Sequence, residues 1–213
     1  MNISQAIEEI KSKSKKRKFV QSVDLIMNFK NIDFSKPDSR INTTILLPKG
    51  RGKGVKVGLI VGDELLVQAR GLDAKVLSKQ DVEKYSKDKK ALKKLASEID
   101  VFLCQADLMA LVGKNMGQVL APRDRMPRPV PATAKLQPMM KALENQVTIK
   151  QKGKYLPTIH TSIGTEEMSN EDLAANGTAV ISSIINKLPN KEGNIKSMYV
   201  KTTMGPIVKV DLK

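Results

Sequence analysis

Between residues 50 and 145 the chain alternates, run by run, between strand-like and helix-like sequence. No other feature restricts the available folds so tightly. VKVGLIVG is a short apolar run, GDELLVQARGLDA is helical in pattern, and KVLS is strand-like. DVEKYSKDKKALKKLASEI reads as one long charged helix, DVFLCQ as a strand, and ADLMALVGKNMGQVL as a further helix. Short apolar strands separated by helix-length segments are the pattern of a parallel sheet with crossover helices. The block runs into APRDRMPRPVPATAK, where Pro122, Pro127, Pro129 and Pro131, with Pro138 beyond, predict irregular structure. Proline lacks the N–H that a helix or a ladder needs. A short helix then runs from Leu136 to Leu143.

The two ends differ from the middle and resemble each other. Ile3, Ala6, Ile7 and Ile10 fall at helical spacing and predict a short amphipathic helix. VDLIMNFKNID and RINTTILLP are β-rich. The polar turn between them, residues 35–39 with Lys36-Pro37-Asp38, predicts that the two runs pair antiparallel. QVTIKQKGKYLPTIHTSIG returns to alternating β sequence. Ser169 with Asp172 three residues on predicts a capped helix over 173–188, with Leu173, Val180, Ile181, Ile184 and Leu188 on one face. Mixed, then α/β, then mixed sequence is explained most economically by an inserted domain. The expected class is α+β. A discontinuous α/β-sandwich-like domain comprises residues 1–49 and 146–213, and a Rossmann-like α/β domain comprises residues 50–145. KGRGKG at 49–54 is expected to be flexible. With residues 144–146 it marks two adjacent crossings, which predict a hinge.

Charge decides the class of partner. The 213 residues carry 37 Lys+Arg against 22 Asp+Glu, a net +15, which creates a field attractive to polyanions. A hydrophobic content of 40% is that of a folded chain. Membrane surfaces are polyanions as well. However, no apolar run approaches ~18 residues, and no basic amphipathic stretch carries Trp or Phe anchors. The opening MNISQAIEEIKSKS lacks the apolar stretch of a signal peptide. Cys104, alone in the apolar run DVFLC, is expected to be a buried thiol, and a single cysteine excludes an internal disulfide. Together these features point to a soluble cytoplasmic protein with a nucleic-acid partner and no membrane partner. Aromatic residues are only 3% of the chain, which argues against stacking successive bases on aromatic platforms. Folded RNA read through shape, phosphate and 2′-OH contacts fits better. There is no Cys/His set for a zinc finger and no heptad series for a basic zipper.

Two segments bear directly on such a partner. KSKSKKRKF at 11–19 places six basic residues in nine, either a solvated helix end or a polyanion contact. MYVKTTMGPIVKVDLK at 198–213 has alternating runs on both sides of Met204-Gly205-Pro206. Glycine permits φ > 0 and proline fixes φ near ~−65°, so a rigid turn is expected. Thr202 and Thr203 precede it, and Lys209 and Lys213 follow. The segment is either an ordinary hairpin or a stiff, low-relief surface of hydroxyls and backbone donors suited to a sugar–phosphate backbone.

Catalytic readings find little support. KGRGKG and the Gly113-Lys114-Asn115 triplet lack the Gly, four residues, Gly-Lys-Ser/Thr spacing of a phosphate loop. His160 is the sole histidine, which leaves a triad or a metal cluster without its other members; it is either structural or an RNA contact. Glu166 and Glu167 are adjacent, but no second pair marks an acid/base site. No catalytic residue, metal site or cofactor is expected. Arg123, Arg125 and Arg128, spaced by prolines, are either a packing loop or a stiff set of phosphate forks.

At nearly full length the chain resembles the universal ribosomal protein family of the large-subunit side stalk, called L-one, and in particular its archaeal branch. The residues that carry the resemblance are KRKF at 16–19, LPKGRGKG at 47–54, APRDRMPRP at 121–129 and, most specifically, SMYVKTTMGP at 197–206. The resemblance implies the inserted-domain build. It implies binding of a folded site on large-subunit rRNA, formation of the mobile stalk beside the exit site where deacylated tRNA leaves, and repression of its own operon through an mRNA copy of the same RNA shape. It implies a ribosome-associated protein, monomeric off the ribosome. Carried onto matching positions, the RNA contacts fall on Lys18, Phe19, Ser197, Thr203, Met204 and Gly205, with His160 in a matching strand. Asp24 stands where many members have Glu, as an acceptor for a ribose 2′-OH or a guanine amine. Ala121-Pro122-Arg123-Asp124 replaces a common Gly-Pro-Arg-Gly. On this reading Phe19 either packs beneath the surface with a polar edge, the favoured alternative, or touches the RNA, and Thr203→Val or Met204→Asp weakens binding by about 1–3 kcal/mol without unfolding the protein. Two rivals are a basic architectural protein on duplex nucleic acid, which would ignore the Thr-Met-Gly turn, and an RNA-processing nuclease, which would need a metal or acid/base cluster.

Overall fold

The computed structural model describes residues 1–34, 40–151 and 156–211, with the side chains of residues 63, 64 and 70 excepted. The polar turn at 35–39, part of the QKGKY stretch (152–155) and Lys213 lie outside the described residues. The chain forms two compact units, Met1–Lys53 with Glu144–Lys213, and Gly54–Leu143.

The discontinuous unit is built on a four-stranded antiparallel sheet. Strand β1 (Ser22–Phe29) lies between β8 (Thr158–Thr165) and β9 (Ile195–Thr202), and β10 (Ile207–Val210) extends the far side of β9. Alternation along β1 sends Val23, Leu25, Met27 and Phe29 inward. There they meet α1 (Ile3–Lys13), through Ala6, Ile7 and Ile10, and α7 (Asn170–Ile185), through Leu173, Val180 and Ile184. Each fully buried Ile or Leu contributes about 1.5–3 kcal/mol. The helices cover one face, and the opposite face of the sheet carries the half-exposed residues of β1, β8 and β9.

The expected pairing of the two first β runs does not occur. β2 (Asn42–Leu46) pairs instead with β7 (Gln146–Lys150) in a separate two-stranded sheet. Both edges of β1 are paired with strands from far down the chain, which leaves no free edge for β2.

The contiguous unit is a parallel sheet in the order β4-β3-β5-β6. Strands β3 (Val57–Ile60) and β5 (Val101–Gln105) are central and almost wholly buried, as strands covered on both faces must be. Helices α3 (Lys79–Lys87), α4 (Lys89–Glu98) and α5 (Met109–Leu120) cover one face. Helices α2 (Asp63–Arg70) and α6 (Leu136–Glu144) cover the other. Two expectations fail here. The single charged helix is two, because Asp88 sits at φ −110°, ψ 91° and its carboxylate accepts from the N–H groups of Lys90 and Ala91, capping α4. The proline-rich segment is not wholly irregular. Arg128–Val130 forms β6 beside β5, at the sheet edge, where Pro129 loses no ladder bond. The remaining strand, β4 (Lys75–Leu77), pairs parallel with β3.

Candidate nucleic-acid interface

The outward phase of β1 consists of Ser22, Asp24, Ile26 and Asn28. Strand register sets three cross-strand rows on this face. Asp24 stands between Ser162 of β8 and Lys201 of β9, Ile26 between His160 and Tyr199, and Asn28 between Thr158 and Ser197. Asn28 Nδ2 donates to Ser197 Oγ at 3.0 Å. Asp24, His160 and Ser197, far apart in sequence, therefore share one surface. Burial pushes the Asp24 carboxyl above the ordinary aspartate range, against the pull of the Lys201 and His160 charges. A half-buried carboxyl with a lysine across the ladder can accept a hydrogen bond from an incoming hydroxyl or amine.

The Thr-Met-Gly turn closes the end of this face. Thr203 continues the outward phase of β9, and its hydroxyl accepts from Ser22 N (3.0 Å) while donating to Ser22 O (3.3 Å). The hydroxyl retains one lone pair, so it can meet RNA only as an acceptor. Thr203→Val is therefore not the clean binding test that the sequence alone suggests, since it also unties Ser22. Thr202 is fully buried, its Oγ1 at 2.9 Å from Ser14 Oγ, and it is no RNA-facing hydroxyl. Met204 is 61% exposed. Gly205 does not take a positive φ. Among the described glycines that conformation belongs to Gly50, Gly52 and Gly164. Glycine is needed at 205 for space, because a Cβ there would lie 2.0 Å from Thr202 Oγ1.

The residue that organises the turn is one that sequence reasoning missed. Gln21 is fully buried. Its Oε1 accepts from Met204 N at 3.1 Å. Its Nε2 lies within hydrogen-bond reach of Ser14 Oγ (3.2 Å), Lys15 O (3.3 Å) and Glu166 Oε2 (3.0 Å). Glu166 also accepts from Gln21 N through Oε1 and donates its own N–H to Gln21 O. One amide thus joins the exit of α1, the end of β8 and the turn. The signal was present in the sequence. Gln21 shares the inward phase of Val23, Leu25 and Met27, and a polar residue on an apolar phase is buried against partners. Glu166, read before as half of a carboxylate pair, is a structural acceptor.

The basic exit leaves helix after Lys13, and residues 15–20 are exposed. Lys18 is exposed there, as a phosphate contact requires. Phe19 does not pack beneath the surface. It is 50% exposed, whereas Phe29, Phe34 and Phe102 are 3% exposed or less. Lys11 turns inward and donates to Met168 O; burial lowers its ammonium pKa despite the nearby Glu166 charge.

Other candidate segments resolve into structural roles. The first part of KGRGKG is pinned rather than flexible. Asn176, fully buried on α7, accepts from Lys49 N at 3.0 Å and donates to Gly50 O at 2.8 Å and Ile163 O at 2.9 Å. Gly52, at φ +67°, would press a Cβ against Thr165 and Met168. Arg125 Nη1 donates to Ala96 O at 2.6 Å, with Ile99 O a further acceptor, and so satisfies the carbonyl end of α4, while Arg123 Nη1 donates to Lys93 O at 2.9 Å on the same helix. At the carboxyl ends of β3 and β5, where open α/β sheets take nucleotides, Gln105 Oε1 already accepts from Gly62 N at 2.8 Å. Cys104 is buried, and desolvation pushes its thiol pKa up to about 11. Among the described residues no group of three or more His, Cys, Asp or Glu is arranged to hold a metal ion, and no helix is long and apolar enough to cross a membrane.

The family match places this two-unit α/β chain in the class of ribosomal proteins. The chain is a member of the ribosomal protein L1p/L10e family, whose model matches residues 8–206. It is 46% identical over 209 residues to the large ribosomal subunit protein uL1 of Methanobrevibacter smithii, covering 98% of each chain. It is 44% identical to that of Methanothermobacter thermautotrophicus, again over 98% of each. The protein of the same name from Thermoplasma volcanium is 43% identical, over 98% of this chain and 95% of its relative.

Proposed function

We propose that the chain binds a folded site on large-subunit rRNA through the outer face of its four-stranded sheet and the Thr-Met-Gly turn. The observation that carries this reading is the shared surface of Asp24, His160, Ser197 and Thr203, together with Lys18 and Phe19 exposed on the segment that leads into β1. Each part has a physical task. The exposed cations at 15–18 supply long-range, salt-sensitive attraction. Asp24, Ser197 and Thr203 offer acceptors and hydroxyls to ribose 2′-OH groups. The buried Gln21 amide keeps the turn rigid, so little order is lost when RNA docks. Gly205 and the exposed Met204 give a low surface that a sugar–phosphate backbone can approach. The discontinuous unit is on this reading the RNA-binding one, and the inserted unit leaves it through two neighbouring crossings that act as a hinge. Within the ribosome the complex forms the mobile side stalk and assists departure of deacylated tRNA from the exit site. Off the ribosome the protein is monomeric, and the same face binds an RNA of like shape in its own mRNA and represses translation.

The test compares a stem–internal-loop rRNA fragment with a plain RNA duplex of equal length, at two salt concentrations. A preference for the looped RNA that persists at high salt, and falls by about 1–3 kcal/mol in Met204→Asp, supports the reading. Equal binding that collapses with salt would replace it with unspecific attraction by the +15 charge.

A further inference from the structure

The face and the turn do not account for the cleft beside them. A cleft of about 650 Å³ opens between the exit of α1 and the end of β8, lined by Lys16, Arg17, Lys18, Phe19, Glu166 and Glu167 among others. Its composition is unusual for a loop surface. Phe19 is the one exposed phenylalanine of the four and neighbours Val20, itself 47% exposed. These apolar side chains stand within a segment that is otherwise cationic, so hydrophobic collapse does not explain their exposure. Its far wall is acidic, in a protein whose net charge is strongly positive. Glu166 is held there by Gln21, and Glu167 is exposed next to it.

An apolar ring face, a row of cations and a carboxylate in one cleft match the three parts of a nucleotide. These are the base plane, the phosphate, and a base edge that donates hydrogen bonds. A duplex cannot present a base plane to Phe19, whereas an unpaired nucleotide can swing out of its stack at modest cost. Guanine is the one standard base whose Watson–Crick edge sets two donors, N1–H and the N2 amine, side by side, as a carboxylate requires. We infer that this cleft takes a single unpaired guanosine of the bound RNA, its base stacked on Phe19, its phosphate held among Lys16, Arg17 and Lys18, and its donor edge read by Glu167. The inference rests on the RNA-binding reading above and deepens it. Shape selection belongs to the sheet face, and base selection belongs to the cleft.

The experiment uses the full chain and the stem–internal-loop RNA of the preceding test, with each unpaired guanosine replaced in turn by an abasic residue or by adenosine. At one position the abasic replacement is expected to weaken binding tenfold or more. Phe19→Ala should bind the intact RNA about as weakly as the original protein binds the abasic one, and it should no longer distinguish the two. Phe19→Tyr, which keeps a ring, should still distinguish them. Glu167→Gln should erase the preference for guanosine over adenosine at that position while keeping the penalty for the abasic residue. Both side chains are exposed, so neither change threatens the fold. If no position shows a base-dependent loss, or if Phe19→Ala responds to the abasic residue as fully as the original protein, the cleft is not a base site and the sheet-face reading stands without it. If the original protein fails to prefer the looped RNA over duplex at all, the RNA-binding reading itself falls and the cleft proposal with it.

Discussion

Gln21 hydrogen-bonds to three segments, the exit of α1, the end of β8 and the turn, and removing its amide takes a partner from each. In Gln21→Leu, Met204 N and the Glu166 carboxylate lose a buried partner. Unsatisfied buried groups cost about 1–3 kcal/mol each, more when charged. We expect destabilisation of about 2–3 kcal/mol by urea denaturation, together with weaker binding of looped RNA. Retained affinity at full stability would separate the turn from the amide. Asp24 makes the opposite compromise. Its folded pKa lies above its unfolded value because burial outweighs Lys201 and His160, so the native state favours the protonated form. Stability is therefore lost as pH rises through the folded value. Asp24→Asn is expected to raise Tm at pH 7 and to give no gain well below the ordinary aspartate pKa of about 3.9. A variant that is more stable yet binds RNA less would identify the carboxylate as a group kept for function. Phase explains what was legible at this scale. Alternation in β1 placed Asp24 outward, but no pattern announces that its neighbours on the face are Lys201 and Ser162, because register is a long-range property. Gln21 sits on the inward phase of β1, and its role is set by Glu166 and Met204, partners too distant in sequence for local pattern to indicate.

The break at Asp88 shows how one residue redirects an element. Helical periodicity runs through residues 79–98, and only the capping geometry reveals two helices. Asp88→Ala removes the bonds to Lys90 N and Ala91 N and should cost about 1 kcal/mol, measured by thermal unfolding. Asp81, in the first turn of α3, gives a pH effect of opposite sign to Asp24. Hydrogen bonds from the Ser78 backbone and hydroxyl hold its carboxyl below the ordinary range. Its contribution is present above the unfolded value and fades as pH falls through the folded one. Most helices, the terminal hairpin and the alternating middle block could be read from periodicity and caps. The edge strand β6 and the partner of β2 could not. Proline at an edge violates only the average rule, and short polar loops do not state which strand lies alongside.

At the scale of the whole chain, the strand that leads out of the discontinuous unit is paired with the strand that returns to it. Leu47 N donates to Asn145 O at 2.8 Å, where β2 and β7 end together. The inserted unit, Gly54–Leu143, has hydrophobic cores of its own on both faces of its sheet. Joining Lys53 to Glu144 through a short glycine linker is therefore expected to leave a cooperatively folding protein that keeps looped-RNA binding. Loss of folding would show that the discontinuous unit depends on the inserted one, and loss of binding in a folded product would move RNA contacts into residues 54–143. Unlike the middle block, the strand order around β1 was invisible in sequence, because its neighbours are separated from it by the entire inserted unit.

That strand order also governs when the protein becomes competent. During synthesis β1 leaves the ribosome long before its ladder partners, which span Thr158–Thr165 and Ile195–Thr202. The inserted unit is continuous in sequence and can fold while the rest is still being translated. The outer face and the turn at residues 203–205 come together only after both partner strands have been translated. On the proposed reading, a nascent chain carries its cationic segment well before it has an assembled surface with which to capture RNA. Synthesis of β9 and the turn is then the step that switches recognition on.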